Sequence, residues 1–317
     1  MAFAIVQYPG RGCLTVIGSL VSPNAKYAGE VPSPEGAKRR PARSMRDRIA
    51  GAVGRAVDRM EPDPESALQT DQNTLEWSIR HRGPESTMAL NAKSQVAVRL
   101  EQLGRYDEAL HLRADVTSHL RVRLGPEHLS TLTAEGLQAF DFDRLGRHGE
   151  ALPLFEHVVA GRTDELGPDH PLTLLAMDWL GCTVRSLGNL PEARRLFEEA
   201  VGRYEESGCG ETEDCMTTTA HLATTLSQLD QLSEACELRR HVVDVRNRTL
   251  GPDDPVTLNS LERLANALQR IGELNESRVI CENLLGRRVR LLGTDHPDAL
   301  RTRELLASID RDLEAGP

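Results

Sequence analysis

Leu166-Gly167-Pro168-Asp169-His170-Pro171 recurs with small changes at three other places in the chain, which begin at Leu124, Leu250 and Leu292. The copies are separated by 42 residues or a multiple of 42, and the same frame runs without insertion from Arg82 to the C-terminus. One unit of this length cannot bury its hydrophobic face alone, so units must stack and share a core. The repeat therefore predicts a solenoid.

Two positions in every unit carry a small residue, and they lie twelve residues apart. We expect two helices to cross there, because small side chains let helix axes approach closely. The first position holds Ala97, Ala139, Gly181, Ala223 and Ala265, and the second holds Ala109, Ala151, Ala193, Ala235 and Ser277. Between them lie Gly104, Gly146, Gly188, Asp230 and Gly272. Glycine and aspartate readily take the left-handed conformation that ends a helix, so each unit is predicted to be helix A, a tight turn, helix B and a connection.

The pattern resembles the tetratricopeptide repeat. Its 42-residue length, its Leu-Gly-Pro-Asp-His-Pro connections and the segment Gly104 to Leu110 (Gly-Arg-Tyr-Asp-Glu-Ala-Leu) resemble the kinesin-light-chain type. The resemblance implies an all-α, right-handed superhelical solenoid of antiparallel helix pairs. It implies five full repeats, a degenerate N-terminal helix pair and a C-terminal capping helix, with a concave wall of A helices that binds extended peptides or partner helices. A motor-subunit role is not implied, since no long heptad coiled coil precedes the repeats.

The predicted division of the chain into segments follows from where the repeat pattern begins, weakens and changes. Residues 1–43 are predicted to be a flexible arm, residues 44–81 a degenerate helix pair (46–60 and 65–82), and residues 82–317 the solenoid with a capping helix from about Pro297 to Leu313. The unit from Gly208 has lost the Leu-Gly-Pro signature, so its connection is predicted to be longer and looser. His128, His170 and His296 share one position in the connections and are expected to cap or pack the turns.

Composition restricts the partners. A net charge of −10 argues against nucleic-acid binding, except through the basic residues 38–59. No run of apolar residues is long enough for a transmembrane helix, so no membrane partner is expected.

Six cysteines without a CxxC pair indicate reduced thiols in a cytoplasmic protein, although Cys209 and Cys215 lie close enough in sequence to pair or bind metal. The excess of arginine over lysine indicates a bacterial source.

Candidate groove residues come from the family's groove positions. Asn259, Asn266 and Gln102 carry amides that can hydrogen-bond a peptide backbone, and Arg144, Arg185 and Arg270 can bind carboxylates. Phe140 and Trp179 are either anchors for a ligand or fillers between helices. Asn91, Asp143 and Asp178 complete the set, and Asp143 and Asp178 could form ion pairs with arginines of adjacent A helices.

Three hypotheses about function remain open at this point. The first is a scaffold or adaptor that holds a protein or peptide in the concave groove. The second is a ligand-sensing regulator that acts through its basic N-terminal region. The third is an enzyme or accessory protein of a biosynthetic pathway with a pocket on the concave face, for which His221, Cys215 and Asp178 are the candidate catalytic residues. No catalytic motif or metal-spaced cluster is present in the sequence, so no cofactor and no metal are expected.

Overall fold

The computed structural model describes residues 4–7, 14–17 and 63–315. Between residues 63 and 315 the chain forms twelve α-helices, which confirms the all-α repeat solenoid. They are α1 Pro64–Arg82, α2 Thr87–Gln102, α3 Tyr106–Leu124, α4 Leu129–Arg144, α5 His148–Leu166, α6 Pro171–Ser186, α7 Leu190–Glu206, α8 Glu213–Gln228, α9 Leu232–Thr249, α10 Pro255–Arg270, α11 Leu274–Leu292 and α12 Pro297–Ala315. None of these helices is both long and apolar enough to cross a lipid bilayer.

Two short strands lie near the N-terminus. β1 Ala4–Gln7 pairs antiparallel with β2 Leu14–Ile17, so that Ala4 lies opposite Ile17. No strand was predicted in residues 1–43. The predicted helix at 46–60 and the basic residues 38–59 lie outside the described residues.

The helices form two compact units, α1 to α3 and α4 to α12. In the first unit, Leu68 of α1, Leu100 of α2 and Ala109 of α3 share one core cluster. In the second unit each helix packs on the next along the chain. The A helices α4 and α6, α6 and α8, and α10 and α12 also touch one another. In this second unit the A helices therefore lie side by side, and we call the side that they share the inner wall.

The small residues occupy the helix crossings, as predicted. Nine of the ten are fully buried at 0% exposure, namely Ala97, Ala109, Ala139, Ala151, Ala193, Ala223, Ala235, Ala265 and Ser277. The tenth, Gly181, packs against the ring of Phe197, and a Cβ added to it would lie 2.7 Å from ring atom Cε1. This close approach is the physical reason for a small residue at the position.

The connections also follow the sequence prediction. Asp230 has a φ of 63°, so it takes the left-handed conformation that glycine takes in the other units. His128 and His170 cap the helices that follow them, because their Nδ1 atoms accept hydrogen bonds from the backbone N–H groups of Ser130 and Leu172. The connection before α8 is longer, as predicted, with six residues between Glu206 and Glu213. Four residues separate α5 from α6.

The helix predicted at 65–82 and the helix predicted at 297–313 are both present with nearly the predicted bounds. The helix α1 begins one residue before the predicted start, and α12 extends two residues beyond Leu313. Asp310 of α12 replaces an apolar residue, and its Oδ1 lies 2.8 Å from Nε of Arg278 on α11. This ion pair gives the polar side chain of Asp310 a partner on the neighbouring helix.

Candidate functional site on the inner wall

The 42-residue period places equivalent side chains at the boundaries between successive repeats. We call each set a layer, with three residues from two neighbouring A helices and one residue from the B helix between those helices. The aromatic layer holds Gly136, Phe140, Trp179 and Phe155; the acid–base layer holds Asp178, Cys182, His221 and Phe197; the arginine layer holds Ala220, Thr224, Arg263 and Arg239. The same structural position therefore carries different chemistry along the wall.

The aromatic layer is built around Trp179. Its ring centroid lies 6.2 Å from that of Phe140 and 5.9 Å from that of Phe155. A Cβ at Gly136 would lie 3.4 Å from the indole, so the glycine makes room for it. Trp179 is only 8% exposed and fills the space between helices, whereas Phe140 is half-buried and keeps part of its ring accessible. Phe140 is thus the aromatic side chain here that a ligand can reach.

The acid–base layer joins α6 to α8 through an ion pair between buried Asp178 and His221, whose side chain is 17% exposed. Oδ1 of Asp178 lies 2.8 Å from Nδ1 of His221, and Sγ of Cys182 lies 3.5 Å from the same nitrogen. Burial by itself lowers the pKa of His221, but the negative charge of Asp178, together with Cys182, outweighs burial and raises the pKa to about 10. His221 therefore carries a positive charge near neutral pH.

The geometry of this layer does not form a nucleophilic triad. In a triad the base uses one ring nitrogen for the nucleophile and the other for the orienting carboxylate. Here the carboxylate and the thiol both approach Nδ1 of His221. Arg185 completes the group by donating from Nη1 to the backbone oxygen of His221 at 3.3 Å and from Nη2 to Sγ of Cys182 at 3.7 Å.

The arginine layer contains a buried guanidinium without an acidic partner. Arg239 is 9% exposed, and its Nη2 donates to Oγ1 of Thr224 at 3.3 Å. Its Nε has no hydrogen-bond partner among the described residues, and no carboxylate there forms an ion pair with it. Burial, and then the charges of Arg263 and Arg270, lower the pKa of Arg239 to about 10.

Arg246 and Arg288, which are also buried, have carboxylate partners. Arg288 is 1% exposed, and its Nη1 lies 2.7 Å from Oε2 of Glu262. Nη2 of Arg246 lies 2.5 Å from Oε1 of Glu213. Such pairing is expected, because a buried charge is costly unless it is neutralised. Arg239 departs from this rule, as does Arg162, which is 3% exposed and donates to the Leu172 carbonyl at 2.8 Å.

The other predicted groove residues are distributed along both units. Asn91 of α2 is half-buried, and Oε1 of Gln102 accepts a hydrogen bond from Arg99 at 3.2 Å. Arg144 is exposed at the end of α4. In α10, Oδ1 of Asn259 accepts a hydrogen bond from Arg288 at 2.9 Å. Nδ2 of Asn266 donates a hydrogen bond to the Glu262 carbonyl at 2.8 Å. Nη2 of Arg270 donates a hydrogen bond to the Ser227 carbonyl at 3.3 Å. Asn259, Asn266 and Arg270 thus have partners within the fold, although all three side chains are exposed.

Two predicted ion pairs have different partners from those expected. Asp143 and Asp178 were expected to meet arginines of adjacent A helices. Instead, Oδ1 of Asp143 lies 2.7 Å from Nδ1 of His148 and accepts a hydrogen bond from Thr183, and Asp178 pairs with His221. Asp178 is only 2% exposed, so it is not on the surface of the groove.

Cys215 does not join the acid–base layer. It is 1% exposed and packs with Leu174, Tyr204 and Met216 near the start of α8, where burial raises its pKa to about 11. Cys215 and Cys209 are both free thiols. The thiol beside His221 is that of Cys182, which the sequence analysis did not connect with it.

Arg239 and Arg263 were not predicted to be site residues from the sequence. A comparison of equivalent positions would have indicated Arg239, because Phe155 and Phe197 precede it at intervals of 42 residues. The missing carboxylate partner is visible only once the neighbouring helices are in place.

Comparison with known proteins agrees with the fold. Sequence profiles of the tetratricopeptide repeat match residues 88–164, 130–206, 215–256 and 257–298, well over half of the chain. No curated protein matches the sequence at a significant level.

Three solved structures resemble the chain. A crystal structure of a point variant from Podosopora anserina, described as "putative kinesin light chain nearly identical TPR-like repeats", is 28% identical, covers 63% of this chain and 95% of its own, and has a TM-score of 0.57. BtubC (BKLC) from P. vanneervenii is 14% identical, with 75% and 95% covered and a TM-score of 0.61. NprR in complex with its cognate peptide NprX is 10% identical, with 86% and 80% covered and a TM-score of 0.53. The profiles and the observed helix pairs together show that this chain belongs to the tetratricopeptide repeat family, with repeats of the kinesin-light-chain-like type.

Proposed function

We propose that the inner wall of α4 to α10 binds an extended protein or peptide segment, so that the protein acts as a scaffold or adaptor. The segment places an apolar side chain against Phe140 in the aromatic layer and a carboxylate against Arg239 and Arg263 in the arginine layer. The observation that carries this proposal is the buried, unneutralised guanidinium of Arg239.

A carboxylate suits the arginine layer for electrostatic reasons. Arginine stays protonated in proteins, so Arg239 cannot relieve its burial by losing a proton. Arg263 and Arg270 act on it with further positive charge. An anion that reaches the layer meets these charges in a partly desolvated site, where a fork of N–H donors binds a carboxylate in bidentate fashion. A partner with an acidic side chain therefore supplies the charge that the fold leaves out.

The spacing of the layers restricts the ligand. The aromatic layer lies between α4 and α6, and the arginine layer lies between α8 and α10, two A-helix steps farther along. Neighbouring helix axes are about 8–10 Å apart, so the two layers are about 16–20 Å apart. An extended chain advances about 3.3 Å per residue, so the acidic residue should lie about five or six residues from the apolar one.

The fold supports peptide binding by analogy. NprR was solved in complex with its cognate peptide NprX, and its fold resembles that of this chain. At 10% identity the likeness concerns the fold alone, so the choice of ligand rests on the chemistry of the layers.

A displayed peptide library tests the proposal. The purified full chain should enrich peptides that combine an apolar residue with an acidic residue about five or six positions away. Arg239→Gln should weaken binding of a selected peptide by about 10-fold or more, the order expected when a charged hydrogen-bond partner is lost. The matched control is Arg248→Gln on the same helix, because Arg248 is 60% exposed and pairs with Glu211 on the surface. Peptides without an acidic preference, or equal binding to the two variants, would refute the assignment of the arginine layer.

A further inference from the structure

The acid–base layer brings three metal-binding side chains to one point. Asp178 and Cys182 lie one helical turn apart on α6, and His221 comes from α8. A carboxylate oxygen, the thiol sulfur and an imidazole nitrogen all lie within 4.8 Å of one another. Both Asp178 and Cys182 approach Nδ1 of His221, at 2.8 and 3.5 Å. A single N–H group cannot donate well to both of them, whereas a metal ion binds several converging lone pairs.

The solenoid itself does not require these residues. The equivalent positions hold Gly136, Phe140 and Trp179 in the aromatic layer and Ala220, Thr224 and Arg263 in the arginine layer. Both of those layers pack without a carboxylate or a thiol at these positions. The acid–base layer therefore carries a ligand set that helix packing does not explain.

A second observation concerns the carboxylate of Asp178. This residue is only 2% exposed, and only its Oδ1 contacts His221. Oδ2 is buried and has no hydrogen-bond partner among the described residues. An unsatisfied buried carboxylate oxygen is costly. A bound cation would satisfy it.

We propose that Asp178, Cys182 and His221 bind one Zn²⁺ ion. Zinc takes sulfur, imidazole nitrogen and carboxylate oxygen as ligands, at about 2.0–2.3 Å. In tetrahedral geometry those bond lengths place the ligand atoms about 3.3–3.8 Å apart. The observed separations reach this range with small shifts of three side chains that are already adjacent. Three protein ligands leave a fourth position for a donor from outside the set.

The surroundings accommodate such an ion. Asp178 and the thiolate of Cys182 offset its two positive charges, and binding displaces the protons from Cys182 and His221. Arg185 lies with its Nη2 3.7 Å from the sulfur and donates to it, as outer hydrogen-bond donors do for metal-bound ligands. This inference is independent of the proposed function, because metal binding can be measured without any peptide.

Cobalt(II) is a suitable spectroscopic substitute for zinc. We expect the full chain, treated with a chelator and then dialysed, to bind one equivalent of Co²⁺ with a thiolate-to-cobalt charge-transfer band and intense visible absorption of tetrahedral cobalt. Zinc added afterwards should abolish both signals. Cys182→Ser should remove the charge-transfer band and weaken zinc binding by more than about 100-fold, since the loss of an outer-shell partner alone costs about 10–100-fold.

Cys215→Ser is the matched control, because Cys215 is an equally buried thiol on the same unit that lies outside the layer. It should keep the cobalt spectrum unchanged. The proposal is overturned if the wild-type chain shows no charge-transfer band, or if the band survives in Cys182→Ser. If Cys182→Ser does not fold, X-ray absorption of the zinc-loaded wild type decides: one sulfur with lighter nitrogen and oxygen neighbours supports the site, and a shell without sulfur refutes it.

Discussion

Replacing Arg239 by phenylalanine should stabilise the second unit, although it removes a charged residue that we assign to ligand binding. Phe155 and Phe197 hold the equivalent position and are 1% and 0% exposed. Phe155 and Ala139 belong to one core cluster, and the residue equivalent to Ala139 for position 239 is Ala223, which is also 0% exposed. The phenylalanine should therefore fit as it does in the aromatic layer.

The magnitude follows from burial. Full burial of a phenylalanine side chain is worth about 1.5–3 kcal/mol. Substitution also removes an unpaired guanidinium that is 9% exposed, and replacement of buried ionic groups by well-packed apolar ones often stabilises by about 1–4 kcal/mol. Imperfect packing around the new ring costs about 1–3 kcal/mol. The second value already contains the burial of the apolar replacement, so the two gains are not added. After the packing cost we expect a net increase of about 1 kcal/mol in the free energy of unfolding.

Urea unfolding followed by tryptophan fluorescence measures this change. The chain has two tryptophans, so a Trp77→Phe background leaves Trp179, which is 8% exposed within the second unit, as the reporter. Stability in repeat proteins is distributed over neighbouring units. Hydrogen exchange of the amides in α8 to α10 should therefore slow as well, which locates the effect.

Two outcomes would contradict the reasoning. A loss of more than about 1 kcal/mol in Arg239→Phe would show that the guanidinium is neutralised in the folded protein. An equal gain in Arg248→Gln would show that a general reduction of charge, and not the buried position of Arg239, is responsible. Arg239→Phe should also weaken binding of the acidic peptides selected by the wild type, so stability and binding should change in opposite directions.

Two further predictions concern packing and pH. Gly181→Ala places a Cβ 2.7 Å from the ring of Phe197 and should lower the free energy of unfolding in urea by about 1–2 kcal/mol. The control Gly149→Ala has nothing within 4 Å of the added Cβ and should leave stability unchanged or raise it. Equal effects of the two substitutions would refute the packing argument. The hydrogen bond to buried Glu135 raises the pKa of His157. Its contribution to stability should therefore be complete below about pH 6.5 and be lost as pH rises through the raised pKa. His157→Gln should remove this part of the pH dependence of the urea midpoint, and an unchanged profile would contradict it.

Local features of the fold could be predicted from the sequence because they depend on neighbours in the chain. The helix ends at Asp230 and at the equivalent glycines follow from backbone conformation alone. The crossing residues follow from their size and from a period that repeats in register. The histidine caps at His128 and His170 required only their shared position in the connections.

The candidate site was less predictable, because its chemistry depends on pairs of residues from different repeats. Cys182 and His221 are 39 residues apart, and no local pattern indicates that the sulfur lies 3.5 Å from the imidazole. Cys215 is nearer in sequence to His221, but it packs into another cluster. Trp179 could be a ligand anchor or a core residue on pattern alone, and burial showed that it fills the space between helices.

The sequence by itself determined the helical repeat, its register and the family. Residue spacing, residue size and turn conformation can all be read within a single 42-residue repeat. Only the tertiary structure decided that Asp178 is buried against His221 and that Arg239 lacks the carboxylate that Arg246 and Arg288 have. The physical reason is that the energy of a charge depends on its distance to other charges and on its access to water. Both quantities are set only when helices from different repeats come together.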